Sequence, residues 1–173
     1  ILDYARQGGT VVGVCGGYQM LGRELRDPHR IETSAETMAG LGLLEVDTVL
    51  AQEKTLVKQQ GTHLESGERI VGYEIHHGKT STNLRPVLQF DDGQTCGCSS
   101  VDNRIWGAYL HGIFDKDRFR RWFIDRLRVN KKLSPKGDEG TSYNVDKSLD
   151  ELADLIRSSV DIEKIYGLMN LES

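Results

Sequence analysis

The sequence predicts an α/β fold with a mostly parallel central sheet and antiparallel β additions. Three observations carry that expectation. Thr10-Val11-Val12-Gly13-Val14 is a short, nearly continuous apolar run, the pattern of a strand buried on both faces, and a helical pattern follows it directly. Ile105-Trp106-Gly107-Ala108-Tyr109-Leu110 is a second such run, again with a helical pattern behind it. Between them, from Leu43 to Phe90, the texture turns to β-rich segments separated by Gly- and Asp-containing turns.

Taken in order, residues 1–7 read as the tail of a helix closed by Gly8-Gly9. After the first strand, residues 16–25 place Leu21 and Leu25 one helical turn apart, and Pro28 ends the element. Residues 29–40 read as a loop. The β-rich region divides into residues 43–50, 55–63, 69–77 and 86–90. Past Leu110, Phe119, Trp122, Phe123 and Leu127 recur at helical spacing, with Asp115 or Asp117 available as the N-cap. Residues 131–147, with Pro135, Gly137 and Gly140, form a long polar surface loop. Leu149, Leu152, Ile156 and Val160 then line one face of a helix, and residues 162–169 continue as a shorter one.

A length of 173 residues suits one domain. With a formal charge of -4 and 28% charged residues, neither sign of charge dominates, so no nucleic-acid or membrane field is implied. No apolar run approaches the ~20 residues that cross a bilayer, and no basic-then-apolar leader is present, so a cytoplasmic protein is expected. Three cysteines are too few and of the wrong parity for a disulfide framework. The chain starts at Ile1, inside a helical pattern, which reads as an N-terminally truncated piece of something longer.

The sharpest motif is Gly13-Val14-Cys15-Gly16-Gly17, a G-x-C-x-G between strand and helix, the form of a nucleophile elbow. A tight strand-to-helix turn crowds the residues flanking the nucleophile, so glycines relieve the clash. The helix N-terminus favours a thiolate, and the Gly16 N–H points where an oxyanion would develop. A small buried cysteine beside packing glycines is the competing reading. The spacing fits neither dinucleotide nor P-loop patterns.

A cysteine nucleophile needs a base, and His111 stands directly after an apolar strand, where α/β sheets place catalytic groups. On position alone, an ordinary structural histidine competes with it. His29 and His63 sit in polar, loop-like surroundings, and His76 and His77 at a strand end. Cys96-Gly97-Cys98 offers two ligands where a metal site needs about four, so a turn with incidental thiols is expected. Eight Lys/Arg against two Asp between Lys116 and Lys132 read as a solvated helix face, with a domain contact as the alternative.

Together, Gly13-Val14-Cys15-Gly16-Gly17-Tyr18-Gln19-Met20-Leu21-Gly22, Gly72-Tyr73-Glu74-Ile75-His76 and Tyr109-Leu110-His111-Gly112-Ile113-Phe114-Asp115 resemble class I glutamine amidotransferase domains, which are flavodoxin-like. The branch is that of cobyric acid and cobyrinate diamide synthases. The final segment, Leu149-Asp150-Glu151-Leu152-Ala153-Asp154-Leu155-Ile156-Arg157 with Val160-Asp161-Ile162 and Ile165, is most similar to the cobyric acid synthase C-terminus.

The resemblance implies a single glutaminase domain over residues 1–173, with Cys15 attacking the glutamine amide and His111 as base. Gly16 and Gln19 would hold the glutamine and His76 and Gly78 its amino-acid end; the competing readings are an exposed helix residue for Gln19 and a strand-edge or domain contact for Glu74 and His76. Class I domains usually carry Glu two residues after the histidine. That position is Ile113 here, so a Cys–His dyad is expected, with Asp115 as the nearby substitute orienter or a plain helix cap. The resemblance implies no metal or cofactor in this domain. ATP and magnesium would serve an upstream synthetase domain of the same polypeptide that amidates corrinoid carboxylates with the released ammonia. Rivals are cobyrinate a,c-diamide synthase, a γ-glutamyl hydrolase or peptidase, and a binding module that kept the fold.

Overall fold

The computed structural model describes residues 1–137 and 145–170. They fall into two compact units, Ile1–Glu139 and Gly140–Ser173. The first opens with a short helix, α1 (Leu2–Arg6), and strand β1 (Val11–Val14), which leads into α2 (Gly16–Leu21). Four further strands follow: β2 (Glu24–Arg26), β3 (Thr37–Ala39), β4 (Asp47–His63) and β5 (Arg69–Ser81). Next come β6 (Leu88–Phe90), β7 (Thr95–Cys96), β8 (Cys98–Ser99), β9 (Ile105–Ala108) and α3 (Asp117–Asn130). The second unit holds α4 (Val145–Ser159) and α5 (Ile162–Leu168), the latter capped by Asp161, which accepts from the Lys164 N–H.

The architecture is mixed α/β, with two sheets. β1, β9 and β8 form the smaller one in that order, and β3-β2-β4-β6-β7 form the larger, with β5 on β4. The two apolar runs do pair in parallel, Val11 with Ile105 through Val14 with Ala108. A mostly parallel sheet, however, is not what the described residues form. β2/β4 is the other parallel pair, and the remaining five pairings are antiparallel. The longest antiparallel pairing is the β4–β5 hairpin, whose short turn after His63 permits antiparallel return, whereas a parallel neighbour needs a long crossover.

Local readings shift in instructive ways. The helix expected through Leu25 stops at Leu21, because Gly22 turns extended and Leu25 pairs with Met38 and Thr48 in β2. The expected loop 29–40 contains β3. Two expected strands fuse into β4, whose pairing slips between Leu50 and Thr55, a bulge that a break in the alternation imitates. α3 is capped at Lys116 without a side-chain hydrogen bond, so neither Asp115 nor Asp117 is its N-cap. The surface loop read over 131–147 lies partly at 138–144, outside the described residues.

The core joins Tyr18 and Leu21 of α2, Ile70 of β5, Leu88 of β6, Trp106 of β9 and Phe119 of α3. His63, which the sequence places in polar surroundings, is the last residue of β4 and 3% exposed. Its ring lies 4.7 to 5.8 Å from those of Phe119, Trp122 and Trp106. The Ser66 N–H donates to its Nδ1, and this aromatic cage holds its pKa down at about 4. No helix among the described residues is long and apolar enough to cross a membrane.

Candidate active site

β1 delivers Cys15 into the turn that begins α2, at φ 53° and ψ −115°. A non-glycine residue enters that region at a cost of ~1–3 kcal/mol and stays only where its surroundings impose it. Here the Cys15 N–H donates to the Ala108 carbonyl at 2.9 Å, across the parallel pair. The Tyr18 and Gln19 N–H groups donate back to the Cys15 carbonyl at 2.9 and 3.2 Å. Gly13 lets the helix fold back this closely, since a Cβ there would lie 2.6 Å from the Gly17 oxygen. Around Gly16 and Gly17 a Cβ would meet nothing within 4 Å, so the turn leaves open space at its glycines.

The Cys15 thiol is half-buried and donates toward the Ile75 carbonyl, 3.6 Å away. Burial pushes its pKa up, the Gly16 N–H lowers it, and the Glu32 and Glu74 carboxylates raise it again. The expected thiolate bias of a helix N-terminus is therefore outweighed in this six-residue helix. A base that takes the proton would offset that rise.

His111 emerges beyond the carboxyl end of β9, after Leu110 has entered the core. Its N–H donates to the Tyr73 carbonyl at 2.8 Å and its carbonyl accepts from the Tyr73 N–H at 3.2 Å. The imidazole stacks on the Tyr73 ring, centroids 5.0 Å apart and planes 6° from parallel. Its Nε2 is the buried side-chain atom left without a hydrogen-bond partner among the described residues. Cys15 thus meets Ile75 and His111 meets Tyr73, two residues apart on β5, or about 7 Å along a strand. One strand gathers the two predicted residues.

Among the described residues, neither position 113 nor position 115 gives the imidazole an acidic hydrogen-bond partner. Ile113 is 2% exposed within the core, and the Asp115 carboxylate turns toward Gly112, 2.9 Å from where a Cβ would stand. The thiol and the imidazole thus each meet β5, and among the described residues no carboxylate hydrogen-bonds the imidazole.

The alternate residues of β5 serve another surface. Glu74, His76, Gly78 and Thr80 share a face, as a period of two requires, and line a cavity of about 530 Å³ with Cys96 and Tyr109. Neither Cys15 nor His111 lines it; they reach β5 at the intervening residues. His76 stacks on Tyr109 at 3.7 Å, and its Nδ1 donates to the Gly78 carbonyl at 2.8 Å. Its Nε2 is 3.8 Å from Glu74, which accepts from the Cys96 thiol at 3.2 Å. Cys98, across Gly97, accepts from the Tyr18 hydroxyl at 3.3 Å. The two thiols of the C-x-C are thus tied to different side chains.

Gln19 is 5% exposed rather than on a solvated helix face. Its amide nitrogen lies where a Cβ on Gly78 would intrude, and it hydrogen-bonds the Tyr109 hydroxyl. That hydroxyl is 2.6 Å from Thr80 Oγ1, itself 2.7 Å from Thr48 Oγ1. Sequence reading missed Tyr109, Thr80, Thr48 and Tyr73 as members of the site. Period-two spacing from Glu74 to Thr80 is the signal that could have added Thr80.

The fold and the site define a class: a mixed α/β protein with a cysteine at a strand-to-helix turn and a histidine past a second strand, each meeting β5. Residues 1–119 match the CobB/CobQ-like glutamine amidotransferase domain, and the chain belongs to that family. It is 45% identical over 163 residues to the adenosylcobalamin biosynthesis bifunctional protein CobDQ of Leptospira interrogans, covering 93% of this chain and 19% of that protein. It is 42% identical over 170 residues to the cobyric acid synthase of Bradyrhizobium diazoefficiens, and 41% over 171 residues to that of Synechocystis. Those alignments cover 97% and 95% of this chain, and 34% of each relative. The chain thus spans about a fifth to about a third of the length of these relatives.

Proposed function

We propose that residues 1–173 form the glutaminase portion of a cobyric acid synthase. The observation that carries this reading is that Cys15 and His111 both meet β5, at Ile75 and Tyr73, two residues apart. The Cys15 thiol passes its proton to His111 as sulfur bonds to the side-chain amide carbon of glutamine. The tetrahedral oxygen takes up the negative charge beside the Gly16 N–H. As the C–N bond breaks, His111 returns the proton and ammonia leaves, with a glutamyl thioester on Cys15. Water, deprotonated by His111, attacks that thioester, and glutamate departs as the thiol recovers its proton.

We assign Gln19, His76 and Gly78 to holding the glutamine. The proximity of His76 and Gly78 to Ile75 on β5, and the seat of Gln19 against Gly78, support this assignment. Glu74 orients His76, and Asp115 holds the Gly112 turn. The strained turn at Cys15 serves as a nucleophile elbow, and we read the parallel β1/β9 pair as the strands that hold it, as in a class I amidotransferase.

The half-reaction needs a thiol and an imidazole, and no cofactor in this domain. In the longer protein the ammonia would meet a synthetase domain that uses ATP and magnesium to amidate corrinoid carboxylates. The names of the relatives and their greater length support that part. Three free thiols fit a cytoplasmic setting.

The test is Cys15→Ser in a protein carrying this domain with its synthetase portion. Glutamine-dependent amidation should fall at least about a thousandfold while ammonia-dependent amidation persists. Loss of both activities, or of neither, refutes the role given to Cys15.

A further inference from the structure

In triad hydrolases a carboxylate behind the histidine holds the ring and steadies the imidazolium that forms when the nucleophile gives up its proton. Here Ile113 is buried in the core, Asp115 faces the Gly112 turn, and among the described residues no carboxylate hydrogen-bonds the imidazole. What meets His111 instead is Tyr73. The backbones exchange two hydrogen bonds, at 2.8 and 3.2 Å, outside any regular ladder. Gly72 makes that bridge possible, because a Cβ there would overlap the His111 carbonyl and press on Leu110. The tyrosine ring then lies flat on the imidazole, 6° from parallel. Tyr73 is 46% exposed, an unusual amount for an aromatic residue whose place packing alone decided.

We propose that Tyr73 is the positioning residue for His111, taking the place of the missing acid by fixing the imidazole from the backbone bridge and the stacked ring. This rests on the reading of His111 as the base. The phenol oxygen has no part in this; the ring does. The inference therefore separates Tyr73→Phe, which keeps the stack, from Tyr73→Leu and Tyr73→Thr, which keep a strand-compatible residue at a half-exposed position and lose it.

The experiment reads glutamate release and, independently of turnover, iodoacetamide alkylation of Cys15 at pH 7. Tyr73→Leu and Tyr73→Thr should each lower kcat about tenfold with KM for glutamine within about twofold, and slow alkylation comparably. Tyr73→Phe should stay within about twofold of the parent in both. In a His111→Ala background, Tyr73→Leu should change the alkylation rate no further, since its effect passes through the imidazole. Parent-like kcat in Tyr73→Leu and Tyr73→Thr, a loss in Tyr73→Phe equal to that in Tyr73→Leu, or an undiminished effect without His111 would each overturn the proposal. If His111→Ala alone leaves both rates unchanged, the base assignment itself is wrong and this inference falls with it, an outcome distinct from the other three.

Discussion

The Cys15 thiol donates toward the carbonyl oxygen of Ile75, 3.6 Å away, on the strand whose Tyr73 bridges His111. A thiol spent on a carbonyl, with its pKa raised by burial, is a poor nucleophile until a base draws the proton off.

That resting state sets the first prediction. In the parent, alkylation of Cys15 proceeds near neutral pH because His111 accepts the proton. In His111→Ala it should slow about tenfold or more at pH 7 and rise only above the ordinary thiol range, since burial raises the thiol's pKa and no imidazole then takes its proton. A pH series of iodoacetamide labelling with peptide mapping measures this; an unchanged rate would point to a different base.

Asp115→Asn should cost glutaminase activity less than about threefold, against a loss of at least about a thousandfold in His111→Ala. The Asp115 carboxylate sits at the Gly112 turn, where Asn has the same shape. Comparable losses in steady-state glutamate release would make Asp115 the third member after all.

His63 predicts a pH-dependent stability. Its folded pKa of about 4 lies below the ordinary value of 6.5, so the unfolded chain binds more protons between the two. The stability that the neutral ring contributes is full above pH ~6.5 and is lost as pH falls toward 4, up to about 3 kcal/mol. Denaturant midpoints from pH 4 to 7 should show this slope in the parent. His63→Asn, whose amide oxygen can still accept from Ser66, should be less stable overall and should lose most of the slope. An equal slope in both would mean that another group titrates.

The glycines around Cys15 should not behave alike. Gly13→Ala sets a methyl group 2.6 Å from the Gly17 oxygen and should destabilise by about 1–3 kcal/mol. Gly16→Ala meets nothing within 4 Å and should unfold within about 1 kcal/mol of the parent. Similar losses by urea denaturation would contradict the strained turn drawn here.

How much of this was legible beforehand depended on the range of the interaction. The turn at Cys15, the two apolar strands that pair in parallel and the helix behind the second are local patterns. Gly13, Cys15 and Gly16 are constrained by neighbours within a few residues, and strand or helix periods repeat inside each element. Where local signals competed, tertiary structure overruled them. Leu25 left its helical spacing for a strand, and His63 left polar neighbours in sequence for an aromatic cage in space.

By itself, then, the sequence determined a cysteine at a strand-to-helix turn, a histidine past the end of a second apolar strand, and the absence of an acid at Ile113. Only the tertiary structure decided what those residues meet. Tyr73 on His111, Ile75 before Cys15, and Gln19 against Gly78 and Tyr109 are contacts set by strand register and by the β4 bulge. A shift of one residue in β5 would exchange its two faces, presenting Glu74 and His76 where Tyr73 and Ile75 now stand. Register is fixed by the burial of the whole sheet rather than by any one segment, which is why these partners could not be read from the chain.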